Sequence, residues 1–132
     1  MAKTFMQMVE EAKSDVPPIS AEEASRQIEQ DRKALILDVR DPDEVRQTDA
    51  IPGALNISLG MLPIRADQQL PEQFRNQELQ DRSRRLMVTC ALGLNAARGA
   101  KLLKDMGFTN VSYIDGGLKA WKEAGLSTES AR

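Results

Sequence analysis

Histidine is absent from this 132-residue chain, and cysteine occurs once, at Cys90. Without an imidazole, neither a Cys-His nor a Ser-His nucleophilic pair can be built, and a protein zinc site loses its usual nitrogen ligand. With a single thiol, no internal disulfide can form and no second cysteine in the chain can resolve an oxidised first one. No apolar run approaches the roughly 18 residues that a spanning helix needs, so no membrane partner is expected. The stretch from Met1 to Lys13 lacks the apolar core of a signal peptide, which makes the cytoplasm the expected location. An excess of positive charge is also missing. Eighteen basic side chains against 20 acidic ones leave a net charge of −2, which offers nucleic acid no electrostatic reason to bind.

What is present is an ordinary globular balance, 41% hydrophobic and 29% charged. A chain of this length can bury a substantial core without disulfide or metal staples. No metal and no cofactor is expected. Any nucleophile must be activated by something other than histidine.

Phe5, Met8, Val9 and Ala12 recur at helical spacing and predict an N-terminal amphipathic helix. Val16-Pro17-Pro18-Ile19 stops it as an extended link. Ser20 followed by Glu23 matches a capping box that opens a helix through about Gln30. Ala34 to Leu37, Ala54 to Ile57, Leu86 to Thr89 and Val111 to Ile114 read as strands. The segment 59–82 is harder to read: Met61, Leu62 and Ile64 suggest a helical turn, and Gln68 to Gln80 is polar loop or helix. Ala96, Gly99, Ala100 and Leu103 share one stripe of a helix over Asn95–Met106, which Gly107 stops. Asp115-Gly116-Gly117 reads as a turn and Leu118 to Ala124 as a last helix. Strand alternating with helix predicts an α/β domain of three layers, helices on both faces of a mostly parallel sheet. Sites in such sheets lie beyond the carboxyl ends of the strands. Cys90 lies at one such end.

The segment Thr89-Cys90-Ala91-Leu92-Gly93-Leu94-Asn95-Ala96 is where chemistry is expected. An apolar strand delivers the cysteine, a short loop follows, and a helix begins. If the loop curls around the sulfur, consecutive N–H groups form an anion nest, helped by the helix's free first-turn amides. Gly93 can take the positive φ that so tight a curve needs. Such a cradle favours the thiolate and could hold a persulfide, passing its outer sulfur to a thiol or to cyanide. Against this stands the plainer reading of a lone cysteine as an inert, buried, small hydrophobe.

Over roughly Ile19 to Ala124 the chain resembles the rhodanese-like domain family. Asp38-Val39-Arg40-Asp41-Pro42-Asp43-Glu44 is similar to its Asp-x-Arg segment with a downstream glutamate, and Ile51-Pro52-Gly53-Ala54-Leu55-Asn56 to its Ile-Pro-Gly-Ala-x-Asn stretch. Cys90-Ala91-Leu92-Gly93 begins what resembles the active-site loop. Gly107 to Val111, and Asp115-Gly116-Gly117 with Trp121, resemble the later turns. The resemblance implies a five-stranded parallel sheet, a loop over Cys90–Asn95 as the site, and sulfur transfer from thiosulfate or another donor. Cys90 would be catalytic, with Ala91, Leu92, Gly93, Leu94 and Asn95 holding the substrate. Asp38 and Arg40 would support the loop from a neighbouring strand end, the other reading of Arg40 being a surface turn charge. Gly116 and Gly117 are expected as turn residues and Trp121 as core. The organisation expected is a helical extension over 1–16, the domain over 17–126 and a tail over 127–132, with homodimer or partner contact through the first helix.

The departures bear on activity. Many active family members carry arginine five positions after the cysteine and serine or threonine next, where this chain has Asn95 and Ala96. Thiosulfate, a dianion, would then bind weakly. Arg98 lies one turn further on, either compensating or standing as a solvated helix charge. The family's usual Gly-His before Ile-Pro is Asp49-Ala50. A cysteine-loop phosphatase or arsenate reductase is disfavoured, because the oxyanion-clamping arginine six positions after the cysteine is here Ala96. The remaining alternative is a non-catalytic rhodanese-like module that binds a partner or senses redox state.

Overall fold

The computed structural model describes residues 1–130. From the N-terminus its elements are α1 (Phe5–Asp15), β1 (Pro18–Ile19), α2 (Ala21–Gln30), β2 (Leu35–Asp38) and α3 (Pro42–Gln47). Then come β3 (Asp49–Ala50), β4 (Leu55–Asn56), α4 (Leu62–Ala66), β5 (Leu86–Thr89), α5 (Leu94–Asp105), β6 (Val111–Ile114), α6 (Gly117–Glu123) and β7 (Glu129–Ser130). Five strands form one parallel sheet in the order β1-β6-β5-β2-β4. The fold implied by the family resemblance is the one observed.

The apolar runs are continuous because both faces of the sheet are covered, and side chains alternate between them. Leu37, Val39, Leu86 and Val88 pack with Ala12 of α1, Leu62 of α4 and Leu103 of α5. Ile36, Met87 and Ile114 face the other way, onto Ala24 of α2 and onto Leu118 and Trp121 of α6. Each fully buried aliphatic side chain stabilises the fold by about 1.5–3 kcal/mol over its exposed state. Trp121 is core, as expected, and its Nε1 donates to the Ser127 carbonyl at 2.8 Å.

Several local readings change. The link expected over residues 16–19 contains an edge strand: Tyr113 donates to Pro17 and Asp115 to Ile19. Pro18 is tolerated there because an edge has ladder positions that need no donor. At α2, Ser20 Oγ accepts from the Glu23 amide, but the Glu23 carboxylate turns to Arg26 and Gln27, so the reciprocal half of the expected box is missing. The complete box lies at α1, where Thr4 Oγ1 accepts from Gln7 N and Gln7 Oε1 from Thr4 N. The polar segment after α4 is two short 3-10 turns held by side-chain amides; Gln80 Nε2, for instance, donates to the Asn76 carbonyl at 2.9 Å.

Both ends of the described chain are tied in. Val9 and Ala12 of α1 are fully buried, and Lys101 and Lys104 of α5 reach the Asp15 side chain and carbonyl at 2.8 Å each. Within the expected tail, Glu129–Ser130 pairs antiparallel with Asp49–Ala50; residues 131–132 lie outside the described residues. Asp49, standing where the family has glycine, binds Lys122 at 3.0 Å and Thr128 at 3.1 Å. Those bonds, Lys122 first, hold its carboxyl below the usual carboxylate range.

Candidate active site

Strand β5 is central and all four of its residues are buried, so it delivers Cys90 to a fixed point beyond its carboxyl end. The chain then turns back on the sulfur. Gly93 N donates to Cys90 Sγ at 3.1 Å and Ala96 N donates at 3.2 Å. Gly93 has φ of 90°, a value that L side chains rarely adopt, and this rotation aims its amide inward.

The loop carbonyls are pulled the other way. Cys90 O accepts from Leu118 N at 2.8 Å and Ala91 O from Lys119 N at 3.1 Å, both on the first turn of α6. The amides of Ala91, Leu92, Leu94 and Asn95 meet no protein acceptor among the described residues. The result is two main-chain donors converging on one sulfur, with four further loop amides left unpaired. One detail differs: Ala96, outside the expected loop, supplies one of the two direct contacts.

Cys90 is 5% exposed and also touches the aliphatic core on its strand side. Its other side opens on a cavity of about 330 Å³. Arg40, Asp41 and Glu44 form one wall, Leu59 and Phe5 another, and Leu92, Leu94 and Asn95 the loop side. A larger cavity of about 530 Å³ between α1 and α5 shares Leu59 but has no thiol or hydroxyl among its described lining residues.

Arg40 is buried rather than a surface charge. Its Nη2 donates to Asp38 Oδ2 at 2.7 Å and to the Asp49 carbonyl at 2.8 Å, and its Nη1 donates to Thr48 Oγ1 at 2.9 Å. Burial alone would pull the guanidinium down, but the hydrogen bond and charge of Asp38, with the charges of Glu44 and Cys90, together hold Arg40 above its usual value. Asp38 and Arg40 make no hydrogen bond to residues 90–95 among the described residues. Their support of the loop is therefore indirect: they brace the cavity wall and the chain just past the end of α3, at Thr48 and Asp49. Arg98 does not line the Cys90 cavity. Its guanidinium donates to Asn95 Oδ1 at 3.0 Å and lies 5.7 Å from the Phe5 ring centroid, so it is neither a loop cation nor a freely solvated charge.

Gly117 is more than a turn residue. It has φ of +59°, and a Cβ there would stand 2.5 Å from Cys90 O and 2.7 Å from Gly93 N. Phe5, Leu59 and Gly117 were not legible as site residues. The Gly-Gly pair was the only sequence signal for any of them; Phe5 carried none, being 85 positions from the cysteine.

A parallel sheet with a cysteine loop cradled by amides at its carboxyl edge is a rhodanese-type arrangement. The profile of the Rhodanese-like domain matches residues 20–124, and the chain belongs to that family. It is 27% identical over 111 residues to a protein named "Sulfurtransferase" from Allochromatium vinosum, covering 84% of this chain and 92% of that one. Among solved structures, a Rhodopseudomonas palustris protein described as "Possible Tyrosine Phosphatase" superposes with a TM-score of 0.88 at 31% identity, covering 98% and 96% of the two chains. The polysulfide-sulfur transferase homodimer of Wolinella succinogenes gives 0.72 at 25% identity, covering 94% of this chain and 85% of that one. Named relatives thus support sulfur transfer in general. No helix among the described residues is long and apolar enough to cross a membrane.

Proposed function

We propose that the protein is a sulfurtransferase that carries a sulfane sulfur as a persulfide on Cys90. The observation that carries this reading is the pair of amide bonds, from Gly93 and Ala96, onto a sulfur that borders an open cavity. Main-chain donors stabilise negative charge on Cys90 Sγ without a base, and the unpartnered amides beside it suit the outer, anionic sulfur of a persulfide. The donor is thiosulfate or another sulfane compound and the acceptor a thiol or cyanide. The two half-reactions share one covalent intermediate.

A phosphatase reading finds no support in the loop. Ala96 stands where an oxyanion clamp needs arginine, and its side chain is fully buried. Arg98 is turned onto Phe5 and Asn95.

Intact-mass measurement after incubation with a sulfane donor tests the proposal. The expected result is the gain of one sulfur, removed by cyanide and absent in Cys90→Ser. A chain that gains no sulfur from any donor would instead be a binding or redox-sensing module.

A further inference from the structure

Among the described residues, the cavity beside Cys90 has no uncompensated positive side chain. Arg40 is the one basic residue of its described lining, and Asp38 neutralises it at 2.7 Å. Asp41 and Glu44 then leave that wall acidic; both are exposed, and Glu44 stands 4.0 Å from Arg40. Arg98, the nearest other cation on α5, is held outside by Phe5 and Asn95. The opposite side is apolar. Phe5 and Leu92 line it while remaining 42% and 57% exposed, alongside Leu59 and Leu94. The Gly93 and Ala96 amides can satisfy the charge on one sulfur. A second negative charge carried further out, as in thiosulfate, meets carboxylates.

Phe5 belongs to α1, outside the residues 20–124 that match the family profile. The helix is fixed by Val9, Ala12 and the Asp15–Lys101 pair, so the ring's place in the cavity lining is built in.

We infer that the site takes sulfur from a persulfide borne on an uncharged, apolar thiol in preference to thiosulfate, and that Phe5 is a specificity-determining residue. This rests on the sulfur-transfer reading above. In the loading step the Cys90 thiolate attacks the outer sulfur of R–S–SH. The bond from Cys90 Sγ to that sulfur forms, the R–S to S bond breaks, and RS⁻ leaves with the bonding pair. The transferred atom stays at the sulfane level, so no oxidant or reductant is consumed. Phe5, Leu92 and Leu94 contact R, an interaction that thiosulfate cannot make.

The experiment is single-turnover loading of the full chain, read by intact mass, with benzyl hydropersulfide and with thiosulfate as donors. Phe5→Ala should lower the ratio of the two loading rates about fivefold, and Phe5→Leu should restore most of it. The Asp41→Asn/Glu44→Gln double variant should raise the thiosulfate rate about threefold. A ratio unchanged in Phe5→Ala overturns the role of Phe5, and a thiosulfate rate that does not rise in the double variant overturns the charge argument. Both results leave sulfur transfer standing. No sulfur gained from either donor would overturn the sulfur-transfer reading and this inference together.

Discussion

Gly117 lies against the main chain of Cys90 so closely that a single added methyl would stand 2.5 Å from the Cys90 carbonyl oxygen. No side chain from Gly117 enters the cavity, yet its backbone decides where the loop sits. Gly117→Ala must shift the loop or the first turn of α6, and must also bear a strained positive φ. The expected cost is about 1–3 kcal/mol in urea unfolding, with sulfur loading slowed at least about tenfold. A variant that loads at the wild-type rate would show that the contact does not position the loop.

Removing Arg40 strands a buried carboxylate. Its partner Asp38 is 2% exposed and takes three contacts from the guanidinium, through Nε to both oxygens and through Nη2. Arg40→Ala should therefore destabilise the chain by about 3–5 kcal/mol, far more than an exposed ion pair would. Arg40→Ala/Asp38→Ala should recover part of that loss. Urea midpoints of the four proteins in this cycle give the coupling directly.

Asn95→Arg places a cation at the mouth, where many active relatives carry one. If loop charge limits the binding of thiosulfate, its KM should fall about three- to tenfold, with a smaller change in kcat. An unchanged KM would remove loop charge as the explanation of weak thiosulfate use.

The docking of α1 should depend on acid. Asp15 is held below its usual value of 3.8, first by its hydrogen bond to Lys101 and then by that ammonium's charge. A lowered carboxyl binds its proton more readily in the unfolded chain. Its contribution is thus complete above 3.8 and is lost as pH falls through the lower folded value. Hydrogen exchange of the α1 amides should accelerate in that range in the wild type. In Asp15→Asn this acid-dependent step should be absent.

How much could be read beforehand depended on how local the cause was. The run Leu86 to Thr89 followed by Cys90 and Gly93 states strand, loop and helix within a dozen residues, and the donor amides follow from that order. Thr4–Gln7 and Ser20–Glu23 satisfy one capping-box pattern; Ser20 does cap α2, but only the Thr4–Gln7 box closes in both directions. What separates them is Arg26 and Gln27 competing for the Glu23 carboxylate. The β3–β7 pair joins two-residue strands about eighty positions apart, too short to show any periodicity. Phe5 was read correctly as helical, but its place above Cys90 follows from how α1 docks on α5, which no local pattern encodes. Arg98 shows the same limit: its neighbours on the helix could not reveal that an aromatic ring from the other end of the chain would claim it.

The thiol is enclosed by material from two helices far apart in sequence, Phe5 from α1 and Gly117 with Leu118 from α6. On a ribosome the cysteine emerges before Gly117 and Leu118, so a nascent chain that still lacks α6 cannot yet hold the loop in place around the sulfur. The loop's geometry is completed only when those residues have been made and have docked.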